Sequence, residues 1–169
     1  MFDPYSVTVE NDSLFSFVTR NSVQYQAYFL GVPTSEAPEI DGLIFTFSFI
    51  ANYEACSTLP PADYSIKATI RQIIRQFLEK DQSRVLCFTC DSGDNKHHKR
   101  QIAFERWHKE DDPQQQYYYW PFAIPAPLED DYPTLGGYFV HKDHYMRGVI
   151  QEHFVESVMM FTNIKTIAA

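Results

Sequence analysis

Residues 85–107 read VLCFTC, then DSGDN, then KHHKRQIAFERW. Val85 to Cys90 is an apolar run without alternation, which is the pattern of a strand covered on both faces. Asp91-Ser92-Gly93-Asp94-Asn95 ends it with turn and cap residues. The residues that follow repeat with helical spacing, so the stretch is a strand, a tight turn and a helix. Asp91, Ser92 and Asp94 then lie at the carboxyl end of a strand, where ligands of open α/β sheets tend to sit.

The clearest helix lies just upstream, after Pro60-Pro61. Ile66, Ile70, Ile73, Ile74 and Phe77 form one apolar stripe, Asp63 is a cap or first-turn acid, and Lys67, Arg71 and Arg75 fall mostly off the stripe. Before it, Leu43-Phe45-Phe47-Phe49-Ala51 alternates with Ile44, Thr46, Ser48 and Ile50, a long strand whose aromatic face should be buried. From that strand through the helix to Val85–Cys90 is a crossover of βαβ length, so the two strands are expected to run parallel with a right-handed connection.

Toward the amino end, Tyr5-Val7-Val9, Leu14 to Thr19 and Val23-Tyr25-Ala27-Phe29 read as three short strands of an antiparallel meander. The connection from Gly31 to Gly42, with Pro33, Glu36, Pro38, Glu39 and Asp41, reads as exposed and mobile. Toward the carboxyl end, the helix starting near Asp94 should end before Asp111-Asp112-Pro113. Strands are expected over Gln116 to Ile124 and Gly137 to Lys142, joined by the acidic, proline-rich loop PAPLEDDYPTLGG. Asp143 can cap a last helix on which Met146, Val149, Ile150, Phe154 and Phe161 share a face. Val155, Val158 and Met159 lie off that face, so the helix end is apolar nearly all round and calls for a second covering surface. The expected fold is α+β: a mixed, mostly antiparallel sheet of about seven strands with three helices and one parallel βαβ crossover, in a single domain over 1–169.

The chain has 169 residues, 44% of them hydrophobic and 21% charged, with a net charge of −8. That length can bury a core without metal or disulfide support. The acidity speaks against nucleic acid as partner, because phosphate neutralisation needs a basic surface. No apolar run reaches the roughly 20 residues of a membrane span, and MFDPYSVTVEND has neither a basic nor an apolar leader region, so the protein reads as cytoplasmic with no membrane partner. Three cysteines, Cys56, Cys87 and Cys90, fit a reducing compartment.

FVTRNSVQYQAYF at 17–29, DYSIKATIRQIIRQFL at 63–78 and VLCFTCDSGDNKHHKRQIAFERW at 85–107 together resemble a family of small bacterial proteins of unknown function, found mainly in Bacteroidetes. The likeness runs over about 5–142 and is most specific in the pattern of the cysteine, Asp91, Ser92, Asp94, Arg100, Phe104 and Trp107. It implies no catalytic residue. In its order of elements from Leu14 onward the chain is also similar to the later part of GNAT-type N-acetyltransferases, so GNAT-like connectivity is expected.

In such enzymes a glycine-rich turn between the long strand and the next helix offers backbone amides to the coenzyme A pyrophosphate. The corresponding stretch here is NYEACSTLPPADYS, and no glycine occurs from Leu43 to Ser92. Two prolines remove amide donors, and Glu54 and Asp63 repel phosphate. No cofactor is therefore expected. Cys87 and Cys90 with His97 and His98 invite a zinc reading, but strand residues three apart point to opposite faces, so no metal site is assigned. Cys90 or Ser92 beside His97 lacks an orienting third group, and Ser92 or Asp94 serves better as a helix cap, so no catalytic residue is assigned.

Arg100 falls between Phe104 and Trp107 on the helix face that should look inward, where it would pair with Asp91 or Asp94. Tyr117, Tyr118, Tyr119, Trp120 and Phe122 are too closely spaced for one strand face, and exposed aromatics favour an interface or ligand platform. The candidate binding residues are Asp91, Ser92, Asp94, Arg100, Trp107, Tyr117 and Tyr119. The resulting functional reading is a non-catalytic binding protein with a protein partner or a homodimer contact through 154–161 and 117–122. The alternative is an acyltransferase with an altered acetyl-coenzyme A site.

Overall fold

A computed structural model describes residues 3–34, 37–54, 61–90, 97–112, 114–124 and 132–156. Seven strands form one sheet: β1 (Thr8–Asn11), β2 (Leu14–Val18), β3 (Gln24–Gly31), β4 (Ile44–Asn52), β5 (Val85–Cys90), β6 (Tyr117–Ile124) and β7 (Thr134–His141). Their order is β1-β2-β3-β4-β5-β7-β6. Every neighbouring pair is antiparallel except β4 with β5, the one parallel step, crossed by α1 (Tyr64–Lys80). Helix α2 (His97–Asp111) leads from β5 to β6, and a third helix, α3, covers 147–156 among the described residues. This is the α+β class and the connectivity that the order of elements implies.

Alternation along the strands decides the layers. On β3, Tyr25, Ala27 and Phe29 are buried while Gln24 and Gln26 are exposed. With Phe15, Phe17, Leu86 and Phe88 they form the larger core, closed by Ile70, Ile73 and Phe77 of α1. Phe77 stacks flat on Phe29 with centroids 3.6 Å apart. Burying each such side chain contributes about 1.5–3 kcal/mol, so the periodic stripe on α1 is structural. Helix α2 lies on the same sheet face, with Phe104 stacked on Phe88 at 3.8 Å.

The second, smaller core is on the opposite face, where Ile44, Val85, Tyr138 and Val140 meet Ile150 of α3 and Ile40. The 31–42 connection, expected to be exposed, is so only in part: Pro33, Pro38, Glu39 and Asp41 are exposed, whereas Thr34, Ala37 and Ile40 are buried. A 3-10 turn at Pro38–Ile40 holds Ile40 fully buried, and Thr34 donates to the Ala37 carbonyl at 3.1 Å. One buried isoleucine outweighs the turn-forming composition around it.

Several boundaries move. β1 begins at Thr8 rather than Tyr5, and Tyr5 instead reaches α1, its N–H donating to Thr69 Oγ1 at 2.8 Å. β7 begins at Thr134, three residues before the glycine expected to open it. Asp143 does not cap the last helix. The turn ahead of that helix is held by His144, whose Nδ1 accepts from the Met146 N–H at 3.0 Å. The aromatic face of β4 is covered only in part, since Phe49 is 49% exposed. No helix among the described residues is long and apolar enough to cross a membrane.

Candidate functional site

The parallel pair β4/β5 is the part of the sheet most relevant to ligand binding. Its register covers only Ile44–Thr46 against Val85–Cys87, although β4 continues to Asn52 in full pairing with β3. Val85 N–H donates to the Leu43 carbonyl, so the odd-numbered residues of β4 turn their backbone groups toward β5. Beyond Phe47 those of Phe49 and Ala51 have no strand opposite them among the described residues. The side chains there are open too, with Phe49 49%, Ile50 54% and Tyr53 41% exposed. Among the described residues the result is an unpaired strand edge inside the sheet, at its carboxyl end.

The N-terminus of α1 lies beside this parting and is closed by the chain's own carboxylate. Asp63, the N-cap, accepts the Ser65 N–H at 3.0 Å, the Tyr5 hydroxyl at 2.5 Å and the Arg20 guanidinium at 3.0 Å. Its side chain is only 4% exposed. The hydrogen bond from Arg20, reinforced by those from Tyr5 and Ser65, holds the carboxyl below its usual range against the opposing effect of burial. Tyr25 lies close by, and burial followed by a hydrogen bond with Tyr53 pushes its phenol well up. A helix N-terminus is the natural place for an anion, and here the anion is built in.

On the other side of the parting, α2 starts at His97. The ring is 1% exposed, packs against His98 and Tyr132, and neither nitrogen has a hydrogen-bond partner among the described residues. Cys90 and Cys87 of β5 belong to opposite cores, as residues three apart on a strand must. Burial pushes the Cys87 thiol up to about 12. It also raises that of Cys90, with Arg100 partly offsetting the effect. Neither thiol is poised as a nucleophile.

Asp91, Ser92 and Asp94 lie outside the described residues, and so does the pairing expected between them and Arg100. Arg100 itself is half-buried, as its helix position implies. Trp107 and Tyr117 do come together. They line a hollow of about 80 Å³ between α1 and α2, with Ile74, Leu78, Phe104 and Phe139 as its apolar wall and Arg71 and His108 at its rim. Arg71 bridges the two helices through Glu110 at 2.7 Å. Tyr119 lies behind, stacked on Phe139 at 5.1 Å. The indole N–H of Trp107 and the hydroxyl of Tyr119 are both buried without a hydrogen-bond partner among the described residues. Burial pushes the phenols of Tyr117 and Tyr119 up to about 12. These two tyrosines are partly buried against the larger core, and the exposed aromatic of the strand is Tyr118, at 43%.

No local signal in the sequence marks the β4 edge, Tyr5, Arg20, or the Asp112 carboxylate that accepts the N–H groups of Gln116 and Tyr117 at 2.7 Å each. Asp63 was legible as a cap. Its partners lie 58 and 43 residues away, and no local signal names them.

Residues 62–119 match the profile of a family described as a family of unknown function (DUF6169), a stretch that holds α1, β5, α2 and the start of β6. No curated protein matches the sequence. Among solved structures, the chain is similar to an N-acetyltransferase from Staphylococcus aureus Mu50, at 14% identity and a TM-score of 0.43, over 76% of this chain and 66% of that one. It is also similar to a protein provisionally named a phosphinothricin N-acetyltransferase, at 14% identity and a TM-score of 0.44, over 78% of this chain and 72% of that one. The chain thus spans just under two thirds of the first of these structures.

Proposed function

We propose that this chain is a non-catalytic binding protein on a GNAT-like scaffold, and that it takes an extended chain, such as a peptide, along the free edge of β4. The observation that carries this reading is the arrangement at the carboxyl end of the β4/β5 pair. A strand edge that is unpaired among the described residues, with half-exposed Phe49 and Ile50, offers hydrogen bonds and apolar contact to an extended ligand. The α1 N-terminus beside it, where a coenzyme pyrophosphate would need amide donors, already carries the Asp63 carboxylate. A neutral or cationic backbone fits that surface, and a polyphosphate meets a like charge there.

The test uses a display library of random linear peptides and, separately, acetyl-coenzyme A. A ligand at 100 times its dissociation constant stabilises a fold by about 2.7 kcal/mol, which a thermal shift resolves. Acetyl-coenzyme A is expected to give no shift. Selected peptides should bind the native chain and lose affinity by about tenfold or more on Ala51→Pro. That change removes one amide donor from the β5 side and leaves the pairing with β3 intact, because the β3-facing groups of β4 belong to its even-numbered residues. A saturable shift with acetyl-coenzyme A would overturn the reading and put the acyltransferase in its place.

A further inference from the structure

We infer that the outer side of α2 is a docking strip for an acidic peptide segment, one that carries an apolar side chain between two carboxylates. The inner side of α2 is accounted for, since Phe104 stacks on Phe88 and Trp107 packs against the larger core. At 3.6 residues per turn, Lys99, Ile102 and Arg106 fall within about 60° of one another, on the side turned away from Phe104. All three are exposed, Ile102 by 54%. An aliphatic side chain thus stands between two cations, each about one turn away along the helix.

The chemistry of the occupant follows from which charges are already matched. The acids of α2 have cations of their own: Glu110 meets Arg71 of α1 at 2.7 Å, and Glu105 meets Lys109 at 2.8 Å. Lys99 and Arg106 have no carboxylate partner among the described residues. Lys67 of α1 joins them from across the seam between the helices. Its ammonium lies over the Trp107 ring at 5.8 Å, and no carboxylate among the described residues pairs with it. In a chain with a net charge of −8, three unmatched cations around one exposed isoleucine complement a partner that brings carboxylates and an apolar anchor together. Lys99 and Arg106 are about 10 Å apart along the axis, which three residues of extended chain span.

A discrete peptide suits this strip better than a continuous anionic surface does. The half-exposed carboxylates of Glu105 and Glu110 flank it, so a phosphate backbone or a layer of lipid headgroups laid along α2 would meet them as well as the cations. A helix that lies in a membrane surface also needs a broad apolar side, whereas Ile102 is the large apolar residue that α2 turns outward. Helix α2 packs over β5, β6 and β7, so the strip is separate from the β4 edge and does not depend on the reading given to that edge.

The test is fluorescence anisotropy of the labelled peptide EEDLFDEE with the full chain, at low and at high salt. Saturable binding is expected at low salt, and it should weaken by about tenfold or more as salt screens the exposed charges. The peptide EEDSSDEE, equal in charge, should bind about tenfold more weakly for want of the apolar anchor. Arg106→Glu and Ile102→Ser should each weaken binding of EEDLFDEE by about tenfold and keep the thermal midpoint, because both side chains stand in solvent. Lys142→Glu alters the net charge as much as Arg106→Glu but from outside the strip, and should leave the constant unchanged. So should Ala51→Pro on β4. Absence of binding at low salt would overturn the inference, and so would equal losses on Arg106→Glu and Lys142→Glu, which would reduce the effect to net charge. A loss confined to Ala51→Pro would move the peptide to the β4 edge and overturn it too, as would binding of phosphatidylserine vesicles or duplex DNA in place of the peptide.

Discussion

Replacing Asp63 tests the account of the α1 N-terminus most directly, because one carboxylate there caps the helix and joins it to the amino-terminal segment. Loss of an N-cap acceptor costs about 1 kcal/mol. The hydrogen bond from Tyr5 to an ionised acceptor adds about 1.5–3 kcal/mol. Arg20 is 64% exposed and adds little. Asp63→Ala should therefore lower stability by about 3 kcal/mol, measured by urea unfolding at neutral pH. Asp63→Asn keeps a cap acceptor while losing the charge, so about half that loss is expected. The pH dependence follows from the depressed folded pKa of Asp63. Its stabilisation is present above the unfolded value of about 4 and is lost as pH falls through the lower folded value. The gap between native and Asp63→Ala should thus narrow in acid. Equal, sub-kilocalorie losses for both variants, or a gap that widens as pH falls, would refute the assignment.

Gly136→Ala should destabilise by about 3 kcal/mol or more, since a Cβ there would come within 2.4 Å of both the Phe88 carbonyl oxygen and the Phe122 ring; a neutral effect on urea unfolding would mean that β5 and β6 yield more than the packing implies. Cys87, with its thiol pushed up to about 12 by burial, should resist iodoacetamide in the native state at pH 8 and react once the chain unfolds. Site-resolved mass spectrometry would decide this, and rapid native labelling of Cys87 would contradict its placement beneath α3 and the 31–42 turn.

Much of the fold is legible in residue order. The stripe Ile66-Ile70-Ile73-Phe77, the alternation of Tyr25, Ala27 and Phe29 with glutamines, and the unalternating VLCFTC each reflect a local period, and each becomes the element that period implies. The βαβ length fixes the parallel step in the same way. Arg100 half-buried on α2 and Cys87 and Cys90 on opposite faces follow from periodicity alone.

The candidate sites depend on relations between elements that no local period encodes. Burial of Ile40 within a polar, proline-bearing connection requires the hollow left between Ile44, Val85 and α3. The consecutive aromatics of β6 divide by sheet face, Tyr117 and Tyr119 beneath α2 and Tyr118, Trp120 and Phe122 on the other side, and only the placed helices determine which pair is covered. Asp63 can be read as a cap from its neighbours, but its contacts with Tyr5 and Arg20 exist only once the meander is folded against α1. The edge of β4 that is unpaired among the described residues is likewise not legible in its own residues, which read as strand to Ala51 and are strand to Asn52. It arises because the parallel pairing with β5 ends after three residues while β5 continues its pairing with β7. Local periodicity sets which residues form strands and helices, whereas hydrogen-bond register between distant segments sets which backbone groups are left without a partner.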